Sequence, residues 1–179
     1  KEPSQPTNIT REEPVQQSPD ERQSTASAPE EFSPQAPATA QLVSTVEGLK
    51  ASLPLFTPVS GVITQGFEPD QKHFGIDYAA KEGTPVHAAA QGYVVFSGWS
   101  YDYGNTLIAS HGSGYITVYK HNSSLLKTTG ARIKRGELIG LVGSSGKTSK
   151  GPHLHFEVLK DGVPVDPTQY LLNSKTAFQ

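Results

Sequence analysis

The chemistry available to this 179-residue chain rests on histidines, carboxylates and hydroxyls, because it has no cysteine to act as a thiolate ligand or nucleophile. Six histidines are present, and two of them, His153 and His155, flank Leu154 in the run Gly-Pro-His-Leu-His-Phe-Glu-Val. Side chains alternate along a strand, so both imidazoles project from one face, about 7 Å apart along the backbone, while Leu154, Phe156 and Val158 share the other. His73 precedes Asp77 in His-Phe-Gly-Ile-Asp. Gly75 and its strand-like neighbours argue against a helix and favour a turn into a strand, with the two groups converging where the backbone folds at the glycine. In Thr117-Val118-Tyr119-Lys120-His121, alternation places Thr117, Tyr119 and His121 on one face, with His121 at the strand's end. Histidines with a carboxylate suit zinc, which in hydrolases takes three protein ligands and keeps one position for water. Spacing leaves open which three of His73, Asp77, His121, His153 and His155 bind it. Each motif also has a plainer reading: an ordinary core or surface histidine, or an Asp77 that only orients His73.

The elements that must position these groups are short and punctuated. Strand-like runs are expected over 59–64, 84–88, 93–98, 106–110, 115–119, 137–142 and 154–159, separated by turn signals such as Gly104-Asn105 and Asp161-Gly162. This spacing predicts a mainly β fold, a compact antiparallel β-sandwich or barrel-like domain over residues 54–172. Leu42, Val43, Val46, Leu49 and Leu53 follow helical spacing, which predicts a short helix or connector over 41–53, weakened by Gly48 and ended by Pro54. Residues 1–40 hold seven of the fourteen prolines, no glycine and a net charge of −4. They read as a disordered acidic linker. Residues 173–179 form a C-terminal tail.

With 18% charged residues and a net charge of −2, the composition excludes a strongly basic nucleic-acid binder, a collagen and a disulfide scaffold. No apolar run approaches the roughly 20 residues of a membrane span. Methionine is absent even from position 1. The chain is therefore expected to be a processed or trimmed product, with any export signal or membrane tether outside it.

In series, His73-x-Gly-x-Asp77, Gly83-Thr-Pro-Val86, Gly92-x-Val94-Val95, Tyr103-Gly-Asn105, His111-Gly-x-Gly114-Tyr115, Tyr119-x-His121, Gly151-Pro-His-Leu-His-Phe-Glu157 and Gly162-x-Pro-Val-Asp-Pro167 resemble the lysostaphin/LytM-type zinc metallopeptidases. The resemblance runs over 56–172. It implies that His73, Asp77 and His155 bind one Zn²⁺ and that His121 and His153 are the unliganded catalytic histidines. Glu157 can orient a ligand, although a solvent-facing salt bridge is the favoured reading. His87 and His111 match no catalytic position, and Tyr103 and Tyr119 either line the cleft or pack in the core. The stretch from Gln65 to Lys72 lacks the arginine-containing loop of many relatives, which implies a more open groove.

The implied activity is hydrolysis of peptidoglycan stem-peptide cross-links in the cell envelope, with a periplasmic location favoured. A D-alanyl bond to a diamino acid is favoured over a glycine bridge. The rival is a non-catalytic domain that binds a cell-wall amidase or division partner. Such domains lack some ligands, and this chain lacks none. A wall-binding module without hydrolysis is a third reading.

Overall fold

The computed structural model describes residues 49–172. The expected linker and C-terminal tail lie outside these residues. So does most of the expected helix, 41–48. The remainder, 49–53, is not helical. Two residues further on, tertiary pairing holds the chain at Leu55. The Leu55 N–H donates to Tyr170 O at 2.7 Å, and Leu55 O accepts from Leu172 N at 2.8 Å. The chain therefore enters extended, with Leu55 fully buried.

Ten strands follow: β1 (Val62–Gln65), β2 (Ile76–Ala79), β3 (Pro85–His87), β4 (Gly92–Ser100), β5 (Gly104–Ser110), β6 (Tyr115–Leu125), β7 (Arg132–Ile133), β8 (Leu138–Val142), β9 (His153–Lys160) and β10 (Val163–Val165). All their pairings are antiparallel, in the order β1-β2-β9-β6-β5-β4-β7, with β10 on β9 and β3 joined through β8 to the end of β6. The expected antiparallel β fold is present. The sheet is not closed into a barrel, because β1 and β7 end the order without pairing to each other. Strands β7 and β10 were not anticipated, being two and three residues long with little periodicity to read.

Strand β9 shows how pattern becomes packing. Leu154, Phe156 and Val158 are all fully buried, whereas His153 and Glu157 are only partly so. At about 1.5–3 kcal/mol for each buried apolar side chain, this row anchors the strand that presents the histidines. Strand β6 lies beside it, with Tyr119 across from Phe156 and Lys120 across from His155.

His111 is fully buried in this core. Its Nδ1–H donates to Gln91 O at 2.8 Å. Its Nε2 lies 2.7 Å from Thr117 Oγ1, which in turn lies 3.0 Å from the Tyr119 hydroxyl. Burial pushes His111 below the usual histidine range, against the smaller opposing effect of Gln91. The unfolded chain thus binds a proton that the folded chain refuses once pH falls below about 6.5. This contribution to stability is intact above that pH and is lost as pH falls toward the depressed folded value. Its slope is at most about 1.4 kcal/mol per pH unit. In urea titrations between pH 5 and 7, His111→Gln should be less stable at pH 7 but lose stability less steeply on acidification than wild type. Parallel slopes would contradict this.

Candidate metal centre

Register brings Asp77 and His155 together. Strands β2 and β9 pair with Asp77 directly across from His155 and Ala79 across from His153. Residues opposite one another share a face of the sheet, so Asp77, His155 and Lys120 form one row across three strands. His73 reaches this row because the chain ahead of β2 presses against β9 at Gly75. A Cβ there would stand 2.5 Å from Phe156 O and 2.9 Å from His155 Nε2, so only glycine fits. The His73 and His155 ring centroids are 4.9 Å apart.

His121 reaches the row by breaking the alternation. Continued regular strand geometry would turn it to the core side with Thr117 and Tyr119, both fully buried. Instead its φ is +65°, and β6 changes partner there, pairing β9 through Lys120 and β8 from Asn122. The irregularity turns the imidazole toward His153, with ring centroids 4.8 Å apart. The strand continues past His121 to Leu125 rather than ending there. All five expected residues line one groove of about 570 Å³, together with Lys72, Phe74, Tyr103, Lys120, Thr148, Lys150 and Glu157. Tyr103 is at its rim and 45% exposed, while Tyr119 is in the core.

Hydrogen bonds fix what each imidazole offers. His73 Nδ1–H donates to Gly66 O at 2.6 Å. Its Nε2 is buried without a hydrogen-bond partner, although it lies 3.2 Å from Asp77 Oδ1. A buried lone pair left unmatched in this way is open to a metal ion. His155 Nδ1 lies 2.7 Å from the same Asp77 Oδ1, and its Nε2 lies 2.9 Å from Glu157 Oε1. The donor atoms of His73, Asp77 and His155 all lie within 4.8 Å of one another. Two nitrogens and a carboxylate oxygen so placed fit a tetrahedral divalent cation with one position left for water.

The remaining histidines are held alike. His121 Nδ1–H donates to Ser145 O and His153 Nδ1–H to Gly151 O, each at 2.8 Å. Both therefore turn an Nε2 lone pair away from the backbone. His153 Nε2 is 4.0 Å from Asp77 Oδ2. Burial pushes His121 down to about 4, with the charges of His153 and His155 adding to the effect and the Ser145 bond opposing it, so it is neutral at neutral pH. Burial alone would raise the Asp77 carboxyl, but the bond to His155 and the charges of three histidines leave it below its usual value. Burial disfavours charge on His155, yet its bonds to Asp77 and Glu157 hold it above the usual range. The carboxylates thus favour positive charge at this point.

Sequence reasoning missed Lys120, and for Glu157 it favoured a solvent-facing salt bridge over orientation of a ligand; the salt bridge is present but largely buried. Lys120 Nζ pairs with Glu157 and lies 4.0 Å from the Tyr103 ring centroid. Their side chains are only 13% and 12% exposed. Burial works against charge on Glu157, and His155 and Lys120 together hold it below the usual carboxylate value. Alternation along β6 was the available signal for Lys120, since it faces away from Tyr119. The carbonyls of Gly66, Ser145 and Gly151 left no signal, because any residue supplies one.

An antiparallel sheet carrying a His–Asp–His cluster and two further histidines in one groove defines a metal-dependent hydrolase site. The chain belongs to peptidase family M23, whose profile matches residues 71–167. It is 46% identical over 100 residues to the DD-carboxypeptidase/endopeptidase Mpg of Neisseria meningitidis, a match covering 56% of this chain and 23% of that protein. A solved zinc-containing peptidase from Vibrio cholerae superposes with a TM-score of 0.63 at 36% identity, covering 70% of this chain and 41% of that one. Lysostaphin from Staphylococcus simulans does so with a TM-score of 0.57 at 33% identity, covering 62% and 49%. The chain spans about a quarter of the length of the curated relatives it matches.

Proposed function

We propose that residues 54–172 are the catalytic domain of a zinc endopeptidase that hydrolyses peptide cross-links of bacterial peptidoglycan. The observation that carries this reading is the convergence of His73, Asp77 and His155 donor atoms beside two histidines that offer free Nε2 lone pairs. His73 through Nε2, Asp77 through its carboxylate and His155 through Nδ1 would hold the ion. When bound, zinc supplies Lewis acidity that makes water acidic enough to act at neutral pH and polarises the scissile carbonyl.

The chain's own residues do the rest. His121, kept neutral by burial, takes the proton of the attacking water at Nε2 and returns it to the leaving amine. His153 stands beside it, with Nε2 near Asp77. Its imidazole is the neighbouring acceptor for that one proton and, only when it carries it at Nε2, donates a hydrogen bond to the carbonyl oxygen on which negative charge develops. The groove rim at Tyr103 and the walls at Lys72 and Lys150 seat the peptide. The DD-endopeptidase names of the relatives support a D-alanyl bond over a glycine bridge, and a peptidoglycan substrate supports work in the cell envelope, in the periplasm.

The test pairs metal analysis of the natively purified chain with mass spectrometry of digested cross-linked wall peptides. One zinc per chain and new D-alanine-terminated fragments are expected. Absence of zinc, with amidase-activating capacity retained, would favour the non-catalytic reading instead.

A further inference from the structure

Four histidines line the groove, apart from any role in catalysis, with one ring nitrogen committed to a fixed acceptor. For His73, His121 and His153 that acceptor is a backbone carbonyl, of Gly66, Ser145 and Gly151 respectively. His155 differs. Its Nε2 faces the Glu157 carboxylate at 2.9 Å, and its Nδ1 faces the Asp77 carboxylate at 2.7 Å. Metal binding takes the neutral imidazole, which carries one N–H, so in that form the two carboxylates compete for it. If Asp77 wins, the His155 lone pair points away from His73 and Asp77, and the cluster has lost a ligand. If Glu157 wins, Nδ1 turns its lone pair into the cluster.

We propose that the Lys120–Glu157 pair is a positioning device that decides this competition in favour of Glu157 and so presents His155 Nδ1 to the metal. The inference rests on the metal reading above. Period two on β9 puts Glu157 on the face of His155, and the register of β6 puts Lys120 directly across from His155. Glu157 Oε1 is the atom that meets both His155 Nε2 and Lys120 Nζ. Lys120 holds Glu157 Oε1 in place against His155 Nε2 and compensates its charge, which leaves Asp77 as the anionic ligand. The Tyr103 ring, 4.0 Å from Lys120 Nζ, covers the lysine from the rim of the groove. Both side chains are largely buried, where an ion pair is poor evidence of stabilisation on its own. Partners that hold a ligating imidazole by its second nitrogen typically alter metal affinity by about 10–100-fold.

The test uses the whole chain and zinc itself. Lys120→Met with Glu157→Met removes the pair together and leaves no uncompensated buried charge, and Glu157→Gln keeps a weaker acceptor. Zinc affinity is read by competition with a chromophoric chelator, and the tautomer of His155 by nitrogen-15 spectra of the metal-free proteins at a pH high enough to leave its imidazole neutral. The double variant should bind zinc about 10–100-fold more weakly, with His155 shifted to the Nδ1–H form. The Gln variant should fall between it and wild type. A purely structural pair would lower the melting temperature of the metal-free protein and leave affinity and tautomer alone. Wild-type affinity with the Nε2–H form retained, in either folded variant, overturns the proposal. Failure of wild type to bind zinc would overturn the metal reading instead, so the two failures are distinguishable.

Discussion

Asp77→Asn is expected to leave a folded chain that no longer retains zinc and no longer cleaves wall peptides. Asp77 Oδ1 is the vertex of the cluster, 2.7 Å from His155 Nδ1 and 3.2 Å from His73 Nε2. It also supplies the only negative charge among the three donors. An amide keeps the shape and an oxygen but loses that charge, leaving two neutral imidazoles where zinc in hydrolases takes three protein ligands. The loss in affinity should exceed the roughly 10–100-fold typical of residues that only orient a ligand. His155→Ala should do the same by removing a nitrogen. The fold should survive both changes, because the apolar row Leu154, Phe156 and Val158 that anchors β9 lies on the opposite face. Elemental analysis after dialysis, with circular dichroism as the check on folding, decides the matter. Stoichiometric zinc in a folded Asp77→Asn chain would show that the ligand set is wrong.

His153→Ala and His121→Ala should behave in the opposite way, retaining one zinc per chain and losing turnover. Neither ring belongs to the three-donor cluster, and each is held through Nδ1 by a carbonyl so that Nε2 is available to a proton. Removal of a positioned proton acceptor or donor typically slows a reaction by about 10²–10⁴-fold. The effect should fall on kcat rather than KM, since these groups act on charge that develops during the reaction. Because the rings lie 4.8 Å apart and serve the same proton, the double variant should be little worse than the poorer single one. Steady-state kinetics on a purified cross-linked peptide checks this. Turnover within a few-fold of wild type in both single variants would remove histidines from the proton-transfer step.

The relation of sequence to structure is uneven along these same residues. Within one strand the pattern decided a great deal. Period two is a local property of an extended backbone, so His153, His155 and Glu157 on one face, and Leu154, Phe156 and Val158 on the other, were already settled by their order. Gly75 likewise marked the fold that carries His73 toward Asp77, and the close approach to Phe156 O explains why no side chain stands there. The helix expected over 41–53 shows the reverse. Its periodicity is real, yet where the chain is described, at 49–53, it is not helical, and just beyond, at Leu55, it pairs with the end of the domain.

Three features of the site were decided only by the tertiary structure. The register that sets Asp77 and Lys120 on either side of His155 depends on strands more than thirty residues apart, and no local pattern fixes it. The positive φ at His121 reverses the alternation that would have buried this ring in the core, because β6 exchanges one neighbour for another at that residue. Lastly, the carbonyls of Gly66, Ser145 and Gly151 and the carboxylate of Glu157 determine which nitrogen each histidine offers. The order of residues thus supplied the reactive groups and their facing within each strand. The division into ligands and proton carriers proposed for them required the assembled sheet, since it depends on where distant backbone oxygens come to rest.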